Sequence, residues 1–362
     1  MRAEPNLPAD ALAAIRAPFL AAGAEAVDVP ILQPLGLILE LAGETMRARL
    51  FVVQAEGGQE TCLRPDFTVA VARQHLESGK PAGRYFYEGK AFRASPDADR
   101  PEEFRQVGLE RFDDAGASAV EADAQIASLA WSAAQAGGRS DLSLWLGDIA
   151  LFAAFIDAQG LAPALADRLK RGAARPRLLA SELARAGAEP QAPAESGKLA
   201  ELLSGLSEAE AATVLEEVWT LAGIEPVGGR GPAAIAQRLI RRSQAASAPA
   251  LTVEQADSIA RFLAVDDAPQ VAFAAIRAIA GAKAPALDGA LNDWTQRLDL
   301  LAQAGVPVER TRFATALGHA FDYYDGLTLE VRSDALAHNR AVAVGGRYAG
   351  LAGRLGGGGG PR

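Results

Sequence analysis

The chain has 362 residues, 49% of them hydrophobic and 22% charged, enough for about two domains whose cores need no covalent staples. With 36 Lys and Arg against 45 Asp and Glu, the formal net charge is −9, which weighs against a broad nucleic-acid surface. A single cysteine, Cys62, excludes an internal disulfide and suits a reducing, cytoplasmic setting; three histidines far apart (His75, His319, His338) give no metal-ligand spacing. No apolar run approaches the ~20 residues that span a bilayer. The first residues, with Arg2 and Glu4 ahead of an apolar run broken by Arg16 and Pro18, lack a secretory pattern.

In chain order, Ala9–Ala22 predicts a helix and Val27–Val29 a short extended piece before Pro30. Arg49–Val53 and Thr61–Arg64 predict paired strands joined through Gly57–Gly58. The strongest strand signals are Arg84–Arg93 and Phe104–Phe112, aromatic-rich and bounded by Gly83, Pro96, Pro101 and Asp113–Asp114. From about Ser118 to Arg310 the chain is rich in Ala and Leu at helical spacing, with capping boxes at Ser207/Glu210 and Thr252/Gln255 and loops at Pro190–Gly197 and Pro226–Pro232. Strand signals return at Phe321–Val331 and Arg340–Val344. The expected organisation is α+β: a mixed domain over 1–159, an all-helical insert over 160–285, the mixed domain resumed over 286–355, and a flexible glycine-rich tail over 356–362.

Side chains alternate along Phe104–Phe112, so Phe104, Gln106, Gly108, Glu110 and Phe112 share a face. A glycine between an amide and a carboxylate predicts a hole with a polar group at each end, suited to a small polar ligand carrying a positive or hydrogen-bond-donating group. Phe321–Gly326 adds two phenols and two carboxylates at a turn. Asp66 and Thr68, taken alone, predict a cap for a helix over Val69–Leu76. Phe112–Ser118 superficially matches a phosphoribosyl pyrophosphate loop. The strand before it is not wholly apolar, and a helix cap at Ser118 is the better reading. There is no P-loop, and the C-terminal glycines precede no helix, so no nucleotide cofactor is expected.

Taken as an ordered set, these segments resemble histidyl-tRNA synthetases. Leu63-Arg64-Pro65-Asp66-Phe67-Thr68 is similar to that family's LRPE-x-T motif, and Phe92-Arg93 through Glu110 to its second signature motif. Asp322-Tyr323-Tyr324 resembles its histidine-specific tyrosine motif, and Gly345-Gly346-Arg347-Tyr348-x-Gly350-Leu351 its GGRYDGL segment. Pro30 stands where the first signature motif has its dimer-interface proline. The resemblance covers about 1–150 and 310–355. It implies a class II aminoacyl-tRNA synthetase-like antiparallel sheet flanked by helices, a homodimer core and a pocket for free histidine. Carried over, Asp66, Thr68 and Gln106 face the α-amino group, Glu110 and Tyr324 bracket the imidazole, Tyr323 lines the wall, and Arg93 contacts phosphate or carboxylate.

The departures fall on the catalytic parts. His319 stands where the synthetases have an arginine three residues before Asp-Tyr-Tyr, and loss of such a donor costs on the order of 10²–10³ in rate. Ser95 replaces an acidic residue after Arg93, and neither the final ATP motif nor an anticodon-binding domain is expected. This pattern is similar to a paralogous family, the regulatory subunits of ATP phosphoribosyltransferase, which Leu146-Gly147-Asp148 and Gly228-Gly229-Arg230-x-Pro232 also resemble. The resemblance implies a chain without catalysis of its own that activates the short-form catalytic subunit in the first step of histidine biosynthesis. It implies histidine as feedback effector, a homodimer core within a cytoplasmic hetero-octamer, and no tRNA, metal or membrane partner. The alternative is a synthetase-like enzyme that activates an amino acid with ATP.

Overall fold

A computed structural model describes residues 2–4, 7–54, 58–113, 116–173, 176–187, 206, 210–211, 213–214, 216–218, 250–318, 323–336 and 340–356. Two compact units form: Met1–Phe152 with Leu263–Arg362, and Ala153–Phe262. In the first, α1 (Ala9–Ala21) is an alanine-rich helix that buries Leu12 and Phe19. Three short strands, β1 (Glu25–Ala26), β2 (Leu32–Pro34) and β3 (Val52–Val53), surround α2 (Leu35–Ala42), whose Leu35, Ile38, Leu39 and Leu41 are buried. β4 (Thr61–Leu63) pairs antiparallel with both β2 and β3. The expected Gly57–Gly58 connection falls largely outside the described residues.

Helix α3 (Thr68–Ser78) leads to the long hairpin of β5 (Gly83–Phe92) and β6 (Glu103–Phe112), with β1 parallel on its far edge. The hairpin register sets Tyr85 opposite Glu110, Tyr87 opposite Gly108 and Gly89 opposite Gln106. Helix α4 (Ala119–Ala136) starts at Ser118, whose side chain accepts from the Glu121 N–H at 3.3 Å, as the sequence predicts.

Strand β7 (Leu142–Asp148) lies inside the stretch that composition marks as helical. Leu142, Leu144 and Leu146 are buried while Ser143 and Trp145 alternate on the other face; this period of two outweighs the alanine-rich background. Helix α5 (Ile149–Ala158) follows and carries the chain across the unit boundary.

In the second unit, α6 (Pro163–Gly172) and α7 (Pro176–Ala184) pack together. The helix α8 (Val253–Leu263) opens on the predicted reciprocal capping box: Gln255 N–H to Thr252 Oγ1 at 3.1 Å, Thr252 N–H to Gln255 Oε1 at 3.0 Å. Phe155 and Phe262 stack at 4.2 Å within this unit. The box at Ser207 and the loops at Pro190–Gly197 and Pro226–Pro232 lie outside the described residues.

Residues 263–285, read from sequence as part of the insert, group here with the first unit. The strand β8 (Asp266–Asp267) pairs with β9 (Thr311–Ala314), with α9 (Pro269–Ala280) and α10 (Asp288–Gln303) between them in sequence. Then come β10 (Leu327–Ser333), which starts later than the predicted Phe321, β11 (Ala341–Gly346) and the short α11 (Leu351–Arg354). The five-stranded sheet has the order β11-β10-β7-β9-β8, antiparallel except for the parallel pair β7–β9. Its core side buries Leu144, Leu146, Leu329 and Val331, and Trp294 of α10 meets Phe313 edge-on at 4.9 Å. Among the described residues no helix is long and apolar enough to cross a membrane.

Leu146 is wholly buried on a central strand, so Leu146→Ala is expected to cost about 2–5 kcal/mol of unfolding free energy. Urea denaturation checks this; a loss within about 0.5 kcal/mol, typical of surface sites, would contradict the assigned core.

Candidate functional site

The site begins with a buried arginine. Arg64, just after β4, is 4% exposed; its Nε donates to the Lys90 carbonyl at 2.8 Å and its Nη1 to the Val29 carbonyl at 2.5 Å. Burial lowers its pKa, while nearby Asp28 acts in the opposite sense. The guanidinium lies 4.0 Å over the Phe67 ring, which stacks flat on Tyr87 at 4.5 Å and 4°. Gly89 makes room: a Cβ there would stand 2.7 Å from Arg64 Nη2 and 2.9 Å from Phe67 Cζ. The column Arg64–Phe67–Tyr87 therefore fixes Leu63–Thr68 against β5.

Tyr87 continues the column onto β6. A Cβ on Gly108 would meet the Tyr87 hydroxyl at 2.4 Å, so the hole predicted at Gly108 is filled by that phenol. The glycine serves close approach of a ring across the hairpin. Glu110, 6% exposed, is then ringed by hydroxyls. Thr68 Oγ1 donates to its Oε1 at 2.7 Å, Tyr87 OH reaches Oε1 at 3.3 Å, and Tyr348 OH donates to Oε2. Thr68 thus spends its hydroxyl on Glu110. The helix N-cap is Phe67, with no side-chain capping bond, which corrects the capping role expected for Thr68.

Burial pushes Glu110 up from 4.5 to about 7; the hydroxyls of Tyr348, Thr68 and Tyr87 hold it down, and Asp66 pushes it further up. Burial also raises Asp66, opposed by the Arg93 charge, by the Tyr323 hydroxyl and by the backbone N–H groups of Val69 and Thr68. Burial drives the phenols of Tyr87, Tyr323, Tyr324 and Tyr348 upward, reinforced by the neighbouring carboxylates, so they remain neutral donors near pH 7.

Tyr323 donates to Asp66 Oδ2 at 3.3 Å and packs against Tyr324 at 4.8 Å and Tyr348 at 5.7 Å. Gly346 admits the Tyr324 ring, since a Cβ there would lie 2.8 Å from it. Two buried acceptors, Asp66 Oδ1 and Gln106 Oε1, have no hydrogen-bond partner of good geometry among the described residues; at Asp66 the Val69 and Thr68 N–H groups act on the carboxylate only more loosely, as electrostatic support. Arg93 lies over Phe104 at 4.8 Å and acts electrostatically on Asp66.

The structure thus links Asp66, Thr68, Glu110, Tyr323, Tyr324 and Arg93 by bonds, ring contacts or charge, and Gln106 shares the strand face of Glu110. His319 and Asp322 lie outside the described residues. Sequence reasoning left out Tyr87 and Tyr348. The signal for Tyr87 was the pairing of β5 with β6, which sets an aromatic opposite Gly108; nothing local marks Tyr348 beyond its motif. Cys62 is buried and free, its thiol pushed up to about 11 by burial. Among the described residues no group of three or more His, Cys, Asp or Glu could hold a metal ion. Chemically, paired carboxylates among neutral hydroxyls suit a small ligand rich in N–H donors.

Because the folded pKa of Glu110 lies above its unfolded value, its contribution to stability is fully present below about pH 4.5 and is lost as pH rises through about 7. Glu110→Gln is expected to remove that dependence. The wild-type minus variant difference should change by on the order of 3 kcal/mol over this window. Chemical denaturation across pH checks it, and parallel curves would contradict a protonated, buried Glu110.

A histidyl-tRNA synthetase family model matches residues 7–227. The chain is 33% identical to the ATP phosphoribosyltransferase regulatory subunit of Brucella ovis over 340 residues, 92% of this chain and 88% of that protein; the Brucella abortus protein of the same name matches equally. Among solved structures, an ATP phosphoribosyltransferase regulatory subunit/histidyl-tRNA synthetase from Bacillus halodurans superposes with a TM-score of 0.63 at 19% identity, covering 98% of this chain and 76% of that one. Histidyl-tRNA synthetase from Nostoc sp. PCC 7120 superposes at 0.59 and 15% identity, covering 97% and 68%. The structural likenesses show the synthetase-like α+β fold. The 33% identity to the Brucella proteins over 92% of this chain establishes that it belongs to the ATP phosphoribosyltransferase regulatory subunit family, within the histidyl-tRNA synthetase-like fold.

Proposed function

We propose that this chain performs no chemistry by itself. It activates a short-form ATP phosphoribosyltransferase catalytic subunit in the first step of histidine biosynthesis and makes that enzyme sensitive to histidine, in the cytoplasm. The regulatory role is supported by the names of the Brucella relatives. The effector reading is supported by one observation: the hydroxyl-ringed Glu110 is buried with Asp66 acting on it, Asp66 Oδ1 has no hydrogen-bond partner of good geometry among the described residues, and the likewise unpartnered Gln106 Oε1 belongs to the same strand face as Glu110. An α-ammonium group supplies donors to Asp66 and Gln106, with Thr68 beside them. An imidazole lies between Glu110 and Tyr324, exchanging hydrogen bonds with groups that both donate and accept. Tyr323 forms the wall, and Arg93 takes the carboxylate. No metal, nucleotide cofactor or tRNA enters this scheme.

The test is phosphoribosyl transfer by the short-form catalytic subunit, with and without this chain, across L-histidine. Activity is expected to require the chain and to fall with histidine. Glu110→Gln is expected to leave activation intact while weakening the histidine response about tenfold or more, the scale of a lost charge-assisted bond. Activation without any histidine effect would overturn the effector reading. No activation, together with ATP–pyrophosphate exchange by the chain alone, would favour the synthetase-like alternative, which the family model's own description keeps in view.

The proposed assembly is a homodimer core within a hetero-octamer. Next to Pro30, Ile31 and Leu32 are about half exposed (49% and 50%), and Val52 on the same small sheet is 43% exposed, an apolar strip suited to self-association. Leu32→Glu is expected to shift the purified chain from dimer to monomer in light scattering; an unchanged dimer would remove this strip from the interface.

A further inference from the structure

Next to Tyr348 stands an arginine tied into a buried polar chain that the effector pocket alone does not explain. Arg347 Nε donates to Asp123 Oδ1 at 3.0 Å, and its Nη2 donates to Asp123 Oδ2. Asp123, on α4, is buried, and its Oδ2 also accepts from Arg297 Nε of α10 at 2.8 Å. The Arg297 guanidinium lies 5.0 Å over the ring of Trp294, one turn back on the same helix. Trp294 Nε1 donates at 2.7 Å to Asp148 Oδ2, while Asp148 Oδ1 accepts from the N–H groups of Ala150 and Leu151 at 2.8 and 3.3 Å. Asp148 therefore caps α5, the helix by which the chain leaves the first unit.

The near end is held just as firmly. Arg347 N–H donates to the Leu327 carbonyl at 2.8 Å, and the Arg347 carbonyl accepts from Asp325 N–H at 3.0 Å. Asp325 in turn receives the N–H groups of Ala349 and Gly350 at 3.0 and 2.6 Å. Tyr348 thus sits between two anchored residues, and its hydroxyl ends on Glu110.

We propose that Arg347, Asp123 and Arg297 form an ion-pair relay, buried at Asp123 and Arg297, through which the state of Glu110 in the pocket is felt at Asp148 and the start of α5. The inference rests on the effector-pocket reading for its use in regulation. Its geometry stands on the bonds above. The two states it distinguishes are Glu110 neutral, when it gives up part of its capacity to accept from Tyr348, and Glu110 ionised, when it draws that hydroxyl in. The groups facing Glu110 are Asp66 before α3 and Thr68 at its start, Tyr87 from β5, Tyr348 after β11, and Tyr323 and Tyr324 before β10. Of these, Tyr348 alone is adjacent in sequence to the relay. Arg347 and Asp123 are accordingly positioning residues: they act on the pocket through Tyr348. A two-donor clamp on one carboxylate holds direction as well as charge, which a lysine in place of Arg347 does not reproduce.

The test needs no ligand. Backbone amide protection of Ala150 and Leu151 is measured by NMR hydrogen exchange at one pH in four proteins: wild type, Glu110→Gln, Arg347→Lys and the double variant. Glu110→Gln is expected to change protection at these two amides by about threefold or more in the wild-type background and to leave it nearly unchanged in the Arg347→Lys background, a non-additive cycle. An equal change in both backgrounds, or no change in either, overturns the relay. Should Arg347→Lys fail to fold, Arg297→Lys interrupts the same chain further along and is read identically. L-histidine titrated calorimetrically into the wild type separates the two claims. Absence of binding sinks the effector reading, whereas the exchange cycle judges the relay.

Discussion

A carboxylate taken out of water is the constraint around which the site is arranged. An unpaired ionised Glu110 inside the protein would cost several kcal/mol, so its charge must be shared with donors or given up. This chain does some of each. Thr68, Tyr87 and Tyr348 supply hydroxyls, and burial still lifts the group to about 7. Glycines make the room for this arrangement. Gly108 admits Tyr87, Gly89 admits the Arg64–Phe67 stack behind it, and Gly346 admits Tyr324. The tyrosines come from β5, from the turn before β10 and from the segment after β11, which are far apart in sequence.

Guanidinium groups in the first unit are largely drawn into architecture. Arg64 ties three backbone segments behind the site, and Arg347 and Arg297 share the buried Asp123. Arg93 is a guanidinium whose charge acts on the pocket carboxylate Asp66. Among the described residues, a pocket of neutral phenols and carboxylates with Arg93 acting on it suits the small nitrogen-rich effector proposed above. Stabilising charge that develops on a phosphate takes several preorganised cations. That contrast is the physical content of reading the chain as a sensor.

Much of this was legible in the sequence because it is local. The β5–β6 hairpin follows from its aromatic strands, the Ser118 and Thr252 caps from their side chains, and the polar face of β6 from alternation. Strand β7 was hidden because its leucines sit in alanine-rich surroundings, and only the period of two, short and easily outvoted, marks it. The content of the pocket was hidden for another reason. Gly108 looks like an empty place in one strand; which ring fills it is decided by the partner strand's register. Tyr348 and the Asp123–Arg347 clamp join residues more than two hundred positions apart, and no window along the chain contains both ends. Thr68 shows the same limit: its position promises a helix cap, and its tertiary neighbour takes the hydroxyl.

The most direct measurement is calorimetric titration of L-histidine into the purified chain slightly below neutral pH, repeated in buffers of different ionisation enthalpy and with Glu110→Gln. If histidine binds beside a Glu110 that titrates near 7, binding ionises the carboxyl. The wild type then releases a proton that the variant does not, and binds more tightly. Equal affinity and equal proton release in the two proteins would contradict the account.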